Sequence, residues 1–170
     1  SGNKALFQGL YAQDRWDWST RYPVIRFSFG GGVVRDPAQL ERKIRQQLRI
    51  NQEALGLSCS DPDIDGCFAE LIRAAHAATG QRVVVLVDEY DKPILDNLGR
   101  PDAATAIRDG LRDLYSVIKD SDAHIRFAFL TGVSKFSKVS LFSGLNNLND
   151  ITVDAEYSAI CGYTEDDLDT

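Results

Sequence analysis

The stretch Gln81–Pro93 reads Q-R-V-V-V-L-V-D-E-Y-D-K-P, and it predicts the central strand of the fold. Its centre, Val83–Val87, consists of apolar residues that are mostly β-branched, with no polar residue among them. This pattern is typical of a strand buried on both faces, as in a parallel sheet covered by helices. Two acids, Asp88 and Glu89, follow at once. In open α/β sheets the carboxyl ends of the strands border the ligand-binding crevice, so we expect both acids there.

The order of apolar strand, Asp and Glu is the pattern of a Walker B motif. In this interpretation Asp88 directs a Mg²⁺ ion, and Glu89 activates the water that attacks a γ-phosphate. A second interpretation is equally open from these residues alone, namely a buried strand that ends in a polar turn. The next two residues, Asp91 and Lys92, are expected to form a local ion pair, which is a common and weak kind of interaction.

Two further segments have the pattern of strands. Tyr22–Phe29 and His124–Leu130 are both rich in branched and aromatic residues. The second ends at a polar residue, Thr131, which we expect at the crevice edge beside the two acids. Strands and helical segments alternate, which predicts parallel βα units with right-handed crossovers. The sequence therefore predicts an α/β fold with a mainly parallel sheet, Val83–Val87 as its central strand and a short fourth strand at Ile151–Asp154.

Most of the remaining sequence has apolar residues at the spacing of helices. The predicted helices are one that begins at Asp36-Pro37, and then Cys67–Thr79, Lys92–Leu98 and Ala103–Lys119. The basic residues of the first helix, including Lys43, are interpreted as a solvated face. The glycines Gly30–Gly32 are interpreted as a flexible exit loop, because the sequence contains no Gly-Lys pair of a phosphate loop.

Composition restricts the class of protein. A chain of 170 residues that is 44% hydrophobic can bury a core, and we expect one domain over residues 1–170. The net charge of −6 argues against general affinity for nucleic acids. No apolar run approaches the roughly 20 residues that a membrane span requires. The sequence contains no Met, so we interpret it as a piece of a longer protein.

Residue types that bind metals occur without the spacing of a metal site. His76 has no partner at such a spacing and is interpreted as a surface or packing residue. The acids around Asp63 resemble a calcium loop, but Ile72 stands where that loop needs a glutamate. The cysteines are odd in number and lack C-x-x-C spacing, which predicts reduced, mostly buried thiols in a cytoplasmic protein. They are Cys59, Cys67 and Cys161.

Three longer stretches connect the chain to a known family. They are Val87–Pro93 (V-D-E-Y-D-K-P), Thr131–Ser137 (T-G-V-S-K-F-S) and Leu141–Leu148 (L-F-S-G-L-N-N-L). With these, the chain resembles the predicted AAA-ATPase-like proteins, which are P-loop ATPases often fused to a C-terminal PD-(D/E)xK nuclease-like domain. In that family a Walker A segment of the type G-R-R-x-G-K-S precedes the position where this chain begins. The resemblance therefore implies a partial, three-layer P-loop core that lacks its first strand and phosphate loop.

The resemblance also implies roles for individual residues. Asp88 is implied to direct Mg²⁺, Glu89 to be the general base, and Thr131 to be the polar sensor of the γ-phosphate. Lys135 and Lys138 are implied to counter the phosphate charge of ATP. The groups that grip the β- and γ-phosphates most strongly belong to the Walker A segment, so this piece alone is not expected to bind ATP tightly.

Two functions follow as expectations. The first is a Mg²⁺-dependent ATPase whose hydrolysis drives a conformational switch in the full-length protein, with the fragment itself inactive. The alternative is a nucleotide-insensitive scaffold that positions a nuclease-like domain or another partner. The resemblance further implies that the missing strand lies beside Ile125–Leu130. Because an uncovered edge strand pairs readily with another chain, we expect a homodimer of the fragment through this edge.

Overall fold

The sheet of the protein is parallel, as the computed structural model shows. The structure describes residues 3–133, 141, 147–158 and 160. Its strands are β1 (Val24–Ser28), β2 (Val83–Asp88) and β3 (Ile125–Leu130). They lie in the order β1-β2-β3, and both pairs are parallel. The predicted α/β fold with a central strand over Val83–Val87 is confirmed.

Helices connect the strands and supply the core. They are α1 (Ala12–Arg15), α2 (Pro37–Leu55), α3 (Ile64–Thr79), α4 (Lys92–Leu95) and α5 (Pro101–Asp120), with 3₁₀ turns at Lys4–Phe7, Asp122–His124 and Ala155–Tyr157. The predicted start of α2 is confirmed, because the Asp36 side chain accepts a hydrogen bond from the Gln39 amide at 2.7 Å and Pro37 occupies the first turn. Such a cap stabilises a helix by about 1 kcal/mol.

One face of the sheet carries the hydrophobic core. Ile25 and Phe27 of β1 and the alternate valines of β2 are buried there, under α2, α3 and α5. Phe27 packs edge to face on Phe68 of α3, with the ring centroids 5.0 Å apart. Burial of one such aromatic side chain contributes roughly 1.5–3 kcal/mol. This face therefore fixes the helices to the strands.

The opposite face of the sheet is more open. It presents Val84 and Leu86 of β2 next to Phe127 and Phe129 of β3, and none of these four is fully buried. The Phe127 side chain is 54% exposed. The unbroken apolar run of β2 predicts cover on both faces, but the described helices cover one face only. A second helical layer is thus not among the described residues.

The two outer edges of the sheet also differ. At β1, the Asn51 side chain accepts from the Arg26 amide and donates to the Arg26 carbonyl, both at 2.9 Å, and the Gln47 side chain accepts from the Ser28 amide. No comparable hydrogen bond reaches the outer edge of β3 from any described residue. A groove of about 520 Å³ runs along β3 instead. Its lining includes Phe127, Phe129, Leu148, Ile151 and Tyr157.

The predicted fourth strand at Ile151–Asp154 is wrong. These residues form a turn, because the Asp150 carboxylate accepts hydrogen bonds from both the amide and the hydroxyl of Thr152. A short polar side chain that binds the backbone two residues ahead favours a turn over a strand. Apolar residues nevertheless reach the groove, since Ile151 lines it.

The prediction of reduced thiols is also wrong for two cysteines. Cys59 and Cys67 form a disulfide, with their Cα atoms 5.2 Å apart. The loop before α3 folds back on that helix, because the Glu70 carboxylate accepts from the amides of Ser60 and Asp61 at 2.8 and 3.1 Å. These hydrogen bonds lower the pKa of Glu70. The number of cysteines in the sequence does not predict this local turn.

None of the described helices combines the length and apolarity needed to cross a bilayer.

Candidate functional site

Polar side chains from the ends of all three strands meet at the carboxyl edge of the sheet. Asp88 ends β2, its register partner Ser28 ends β1, and Thr131 follows β3. The Thr131 hydroxyl donates to Oδ1 of Asp88 at 3.0 Å, and the Ser28 hydroxyl lies 3.4 Å from Oδ2. Arg26 also approaches Oδ2, at 3.8 Å, in an ion pair whose side chains are half exposed. Sheet geometry therefore brings Asp88 and Thr131 together, as the sequence predicts.

Glu89 has an unusual backbone conformation. Its φ is +54°, and it is the only residue other than glycine with positive φ in the described part of the chain. Its carboxylate lies against Gly30, where a Cβ atom would stand 3.1 Å from Oε1 of Glu89. A residue held in a sparsely populated region is an observation that points to function. The sharp turn directs Glu89 across the end of β1, beside the glycines that follow that strand.

The segment after Thr131 is fixed by Asp91, for which the sequence predicts only a local ion pair. Asp91 is completely buried, and its carboxylate accepts from the Val133 amide at 3.1 and 3.3 Å. Gly132 packs so closely that a Cβ there would lie 2.6 Å from Tyr90 and 2.7 Å from Asp91. The Tyr90 amide donates to the Thr131 carbonyl at 2.9 Å. The turn after β2 thus positions the residues that follow β3.

The predicted ion pair between Asp91 and Lys92 is wrong. Lys92 donates instead to both oxygens of Asp96, at 2.9 and 2.8 Å, one helical turn further along. Adjacent residues in a helical turn point in different directions, which separates a buried Asp91 from a partly exposed Lys92. A signal in the sequence exists, because the spacing of Lys92 and Asp96 is the one that favours pairs on a helix.

The interpretation of Lys43 as part of a solvated face is wrong, because this residue is partly buried. Its ammonium group donates to the carbonyl of Phe29 at 3.0 Å and also to the carbonyl of Gly31, so the glycine loop is held by α2. Burial lowers the pKa of Lys43, and the nearby charge of Lys92 lowers it further. The position of Lys43, three residues after the buried Leu40, was the available signal that it borders the core face of α2.

The oxygen ligands at this edge fit a Mg²⁺ ion that is bound by few protein groups. In the described residues, no group of three or more His, Cys, Asp or Glu side chains converges on one point. Asp88 instead offers one carboxylate flanked by the hydroxyls of Ser28 and Thr131. Mg²⁺ keeps several waters and is commonly bound by one or two carboxylates together with substrate phosphates. The predicted phosphate-binding residues, Lys135 and Lys138, lie outside the described residues.

Comparisons with known proteins agree with this geometry at the level of the family. The profile of a family described as "Predicted AAA-ATPase" matches residues 1–142. A protein of Azotobacter chroococcum mcd 1, described as "Uncharacterized protein in vnfD 5'region", is 69% identical over 169 residues. That match covers 99% of this chain and 33% of the relative, so the chain spans a third of the relative's length. No solved structure matches the chain.

Proposed function

The chain belongs to the predicted AAA-ATPase family, and on that premise we propose that it forms the Walker B half of an ATPase site in a longer polypeptide. One observation carries the proposal: the hydrogen bond of 3.0 Å between Thr131 and Asp88, made where β2 and β3 end side by side. A hydroxyl and a carboxylate placed in this way form one polar surface at the crevice edge. This is where α/β sheets bind ligands.

Each residue of the edge has a definite role in this proposal. Asp88 accepts hydrogen bonds from the water shell of Mg²⁺, and Thr131 holds the Asp88 carboxylate in place and orients the attacking water. Glu89 takes the proton of that water as general base. A Mg²⁺ ion held at Asp88 would supply positive charge that offsets the charge of the ATP phosphates. Lys135 and Lys138 counter the same charge from the segment after Thr131.

The groups that this chain lacks would come from elsewhere in the polypeptide. We assign the phosphate loop to a strand placed beside β3, where the described residues leave the edge and one face of the sheet open. In the full-length protein, hydrolysis then drives a conformational switch that acts on a fused nuclease-like domain. The 170-residue chain by itself is predicted to be inactive, because the amides and lysine of a phosphate loop supply most of the grip on the β- and γ-phosphates.

A nucleotide-insensitive scaffold is the second candidate. The ion pair of Arg26 with Asp88, at 3.8 Å, favours it, because Asp88 has protein partners on both of its oxygens. In that role the edge stabilises the fold and positions the nuclease-like domain, with no part in catalysis. The two candidates differ in what the full-length protein does with ATP.

The test of the proposal is turnover by a full-length protein of the family. Glu89→Gln removes the base but retains the shape, so hydrolysis should slow by about 10²–10⁴-fold while Mg·ATP binding persists. Glu53→Gln is the matched control, since Glu53 is exposed on α2 and forms a surface ion pair with Arg49 across 3.9 Å. Wild-type turnover in Glu89→Gln would leave that residue a turn acid. No turnover in any of these proteins would favour the scaffold.

A further inference from the structure

The two histidines of the chain lie in contact at the end of the sheet opposite to Asp88. They are His76, in the last turn of α3, and His124, which directly precedes β3. Their Nδ1 atoms are 3.0 Å apart, and their rings lie at 70° with centroids separated by 5.3 Å. Both side chains are half buried, so one side of the pair reaches solvent.

We propose that His76 and His124 form a binding site for a divalent transition-metal ion. Neutral imidazole is the commonest metal ligand in proteins, and it binds through either ring nitrogen. With metal–nitrogen bonds of about 2.0–2.1 Å, a separation of 3.0 Å subtends an angle of about 95° at the metal. That angle suits neighbouring positions of a square-planar or octahedral ion. It is narrower than a tetrahedral site requires.

The ligand count determines which ions fit. Within the described part of the chain, no third His, Cys, Asp or Glu joins the pair, and we assign the remaining coordination positions to water. Cu²⁺ and Ni²⁺ accept tetragonal nitrogen and oxygen ligands, and Cu²⁺ stands highest in the general order of affinity. The site is thus inferred to prefer Cu²⁺, followed by Ni²⁺, and to leave positions open for solvent.

Between two neutral rings, binding requires a change of tautomer with no net loss of protons. In the hydrogen bond, one ring donates through Nδ1 and the other accepts. To present both Nδ1 lone pairs, the donor ring gives up that proton through solvent and takes one at Nε2. Each ring then remains neutral, and the two bonds to the metal replace one hydrogen bond. Because the ligands come from α3 and from the 3₁₀ turn just before β3, the ion would link a helix to the sheet.

The test is titration of the 170-residue chain with CuCl₂ and NiCl₂, followed by calorimetry and by electron paramagnetic resonance of the Cu²⁺ form. We expect one ion per chain, with coupling to two imidazole nitrogens in the Cu²⁺ spectrum. His76→Gln and His124→Gln should each weaken binding at least tenfold and leave coupling to one nitrogen. Gln retains a donor and an acceptor, and circular dichroism verifies that each variant is folded.

A matched control separates imidazole from thiol binding. Cys161→Ser removes the cysteine outside the disulfide and should leave affinity and the nitrogen coupling unchanged. Equal affinity in wild type and both Gln variants would overturn the proposal, as would a Cu²⁺ spectrum without imidazole coupling. The outcome is independent of the proposed ATPase function, since the site lies at the other end of the strands and the assay contains no nucleotide.

Discussion

The two outer edges of the sheet meet solvent in different ways. At β1, Asn51 and Gln47 of α2 occupy the hydrogen-bonding positions that a neighbouring strand would fill. At β3, the outer edge borders a groove of about 520 Å³, and Phe127 beside it is 54% exposed. An edge strand with free backbone groups is prone to pair with another chain unless it is blocked. One edge of this sheet is blocked by its own helix, and among the described residues nothing blocks the other.

The two edges differ in whether another strand can be added to the sheet. Amide side chains that bind a strand's backbone leave no place for another strand, so β1 is a true end. The apolar side chains of β3 and the half-covered face next to it suit further cover by protein. This agrees with the proposal that the longer polypeptide places a strand, with its phosphate loop, next to β3 and Thr131.

The largest loss of stability is expected when the hydrogen bonds between the Asn51 side chain and the backbone of β1 are removed. Asn51→Leu keeps the volume but removes the partners of the Arg26 amide and carbonyl, so unfolding should become easier by about 2–4 kcal/mol, as for two unsatisfied backbone groups. Urea unfolding of the chain measures it. Asn147→Ala, which removes an exposed amide bonded to Asp122 at 3.3 Å, is the control and should change stability by less than about 0.5 kcal/mol. Similar losses of unfolding free energy in both variants would mean that the hydrogen bonds of Asn51 to β1 do not contribute more than an exposed side-chain hydrogen bond.

The next effect concerns the open edge. We expect the 170-residue chain to self-associate through β3, and Phe127→Lys should weaken that dimer at least tenfold by placing a charge on the edge. Light scattering and sedimentation over a range of concentrations measure it. Leu98→Lys, at a side chain that is 66% exposed after α4, should leave association unchanged. A wild-type chain that stays monomeric at high concentration would contradict the prediction.

A smaller loss of stability is expected from a substitution that does not alter the outer edges of the sheet. The Tyr115 hydroxyl of α5 donates to the Tyr90 carbonyl at 3.3 Å, so Tyr115→Phe should cost about 0.5–1.5 kcal/mol at neutral pH. Burial raises the pKa of Tyr115 well above its ordinary value of 10.0. The contribution of the neutral phenol is therefore fully present below pH 10 and is lost as the pH rises further, because only the unfolded chain then ionises. Urea unfolding at neutral and alkaline pH should show a steeper decline in wild type than in Tyr115→Phe. An equal decline of the unfolding free energy in both proteins would mean that ionisation of Tyr115 is not its cause.

Strand order and the meeting of Asp88 with Thr131 could be predicted from sequence, because apolar runs that end in polar residues align at one edge of a parallel sheet. The partners of Asp91 and Lys43 could not. Both make hydrogen bonds to backbone groups far away in the sequence, and no periodicity reports such contacts. The turn at Ile151–Asp154 was hidden for the opposite reason, since a local bond from Asp150 overrides a short apolar pattern.

We propose that the carboxyl edge around Asp88 is part of an ATPase site that the longer polypeptide completes. The direct measurement is ATP turnover by a full-length protein of the family, compared with its Asp88→Ala variant. We expect Mg²⁺-dependent turnover in wild type and its loss in Asp88→Ala, while the 170-residue chain binds Mg·ATP no more tightly than about 1 mM, or about −4 kcal/mol. Equal turnover in wild type and Asp88→Ala, or a micromolar site in the 170-residue chain, would contradict it.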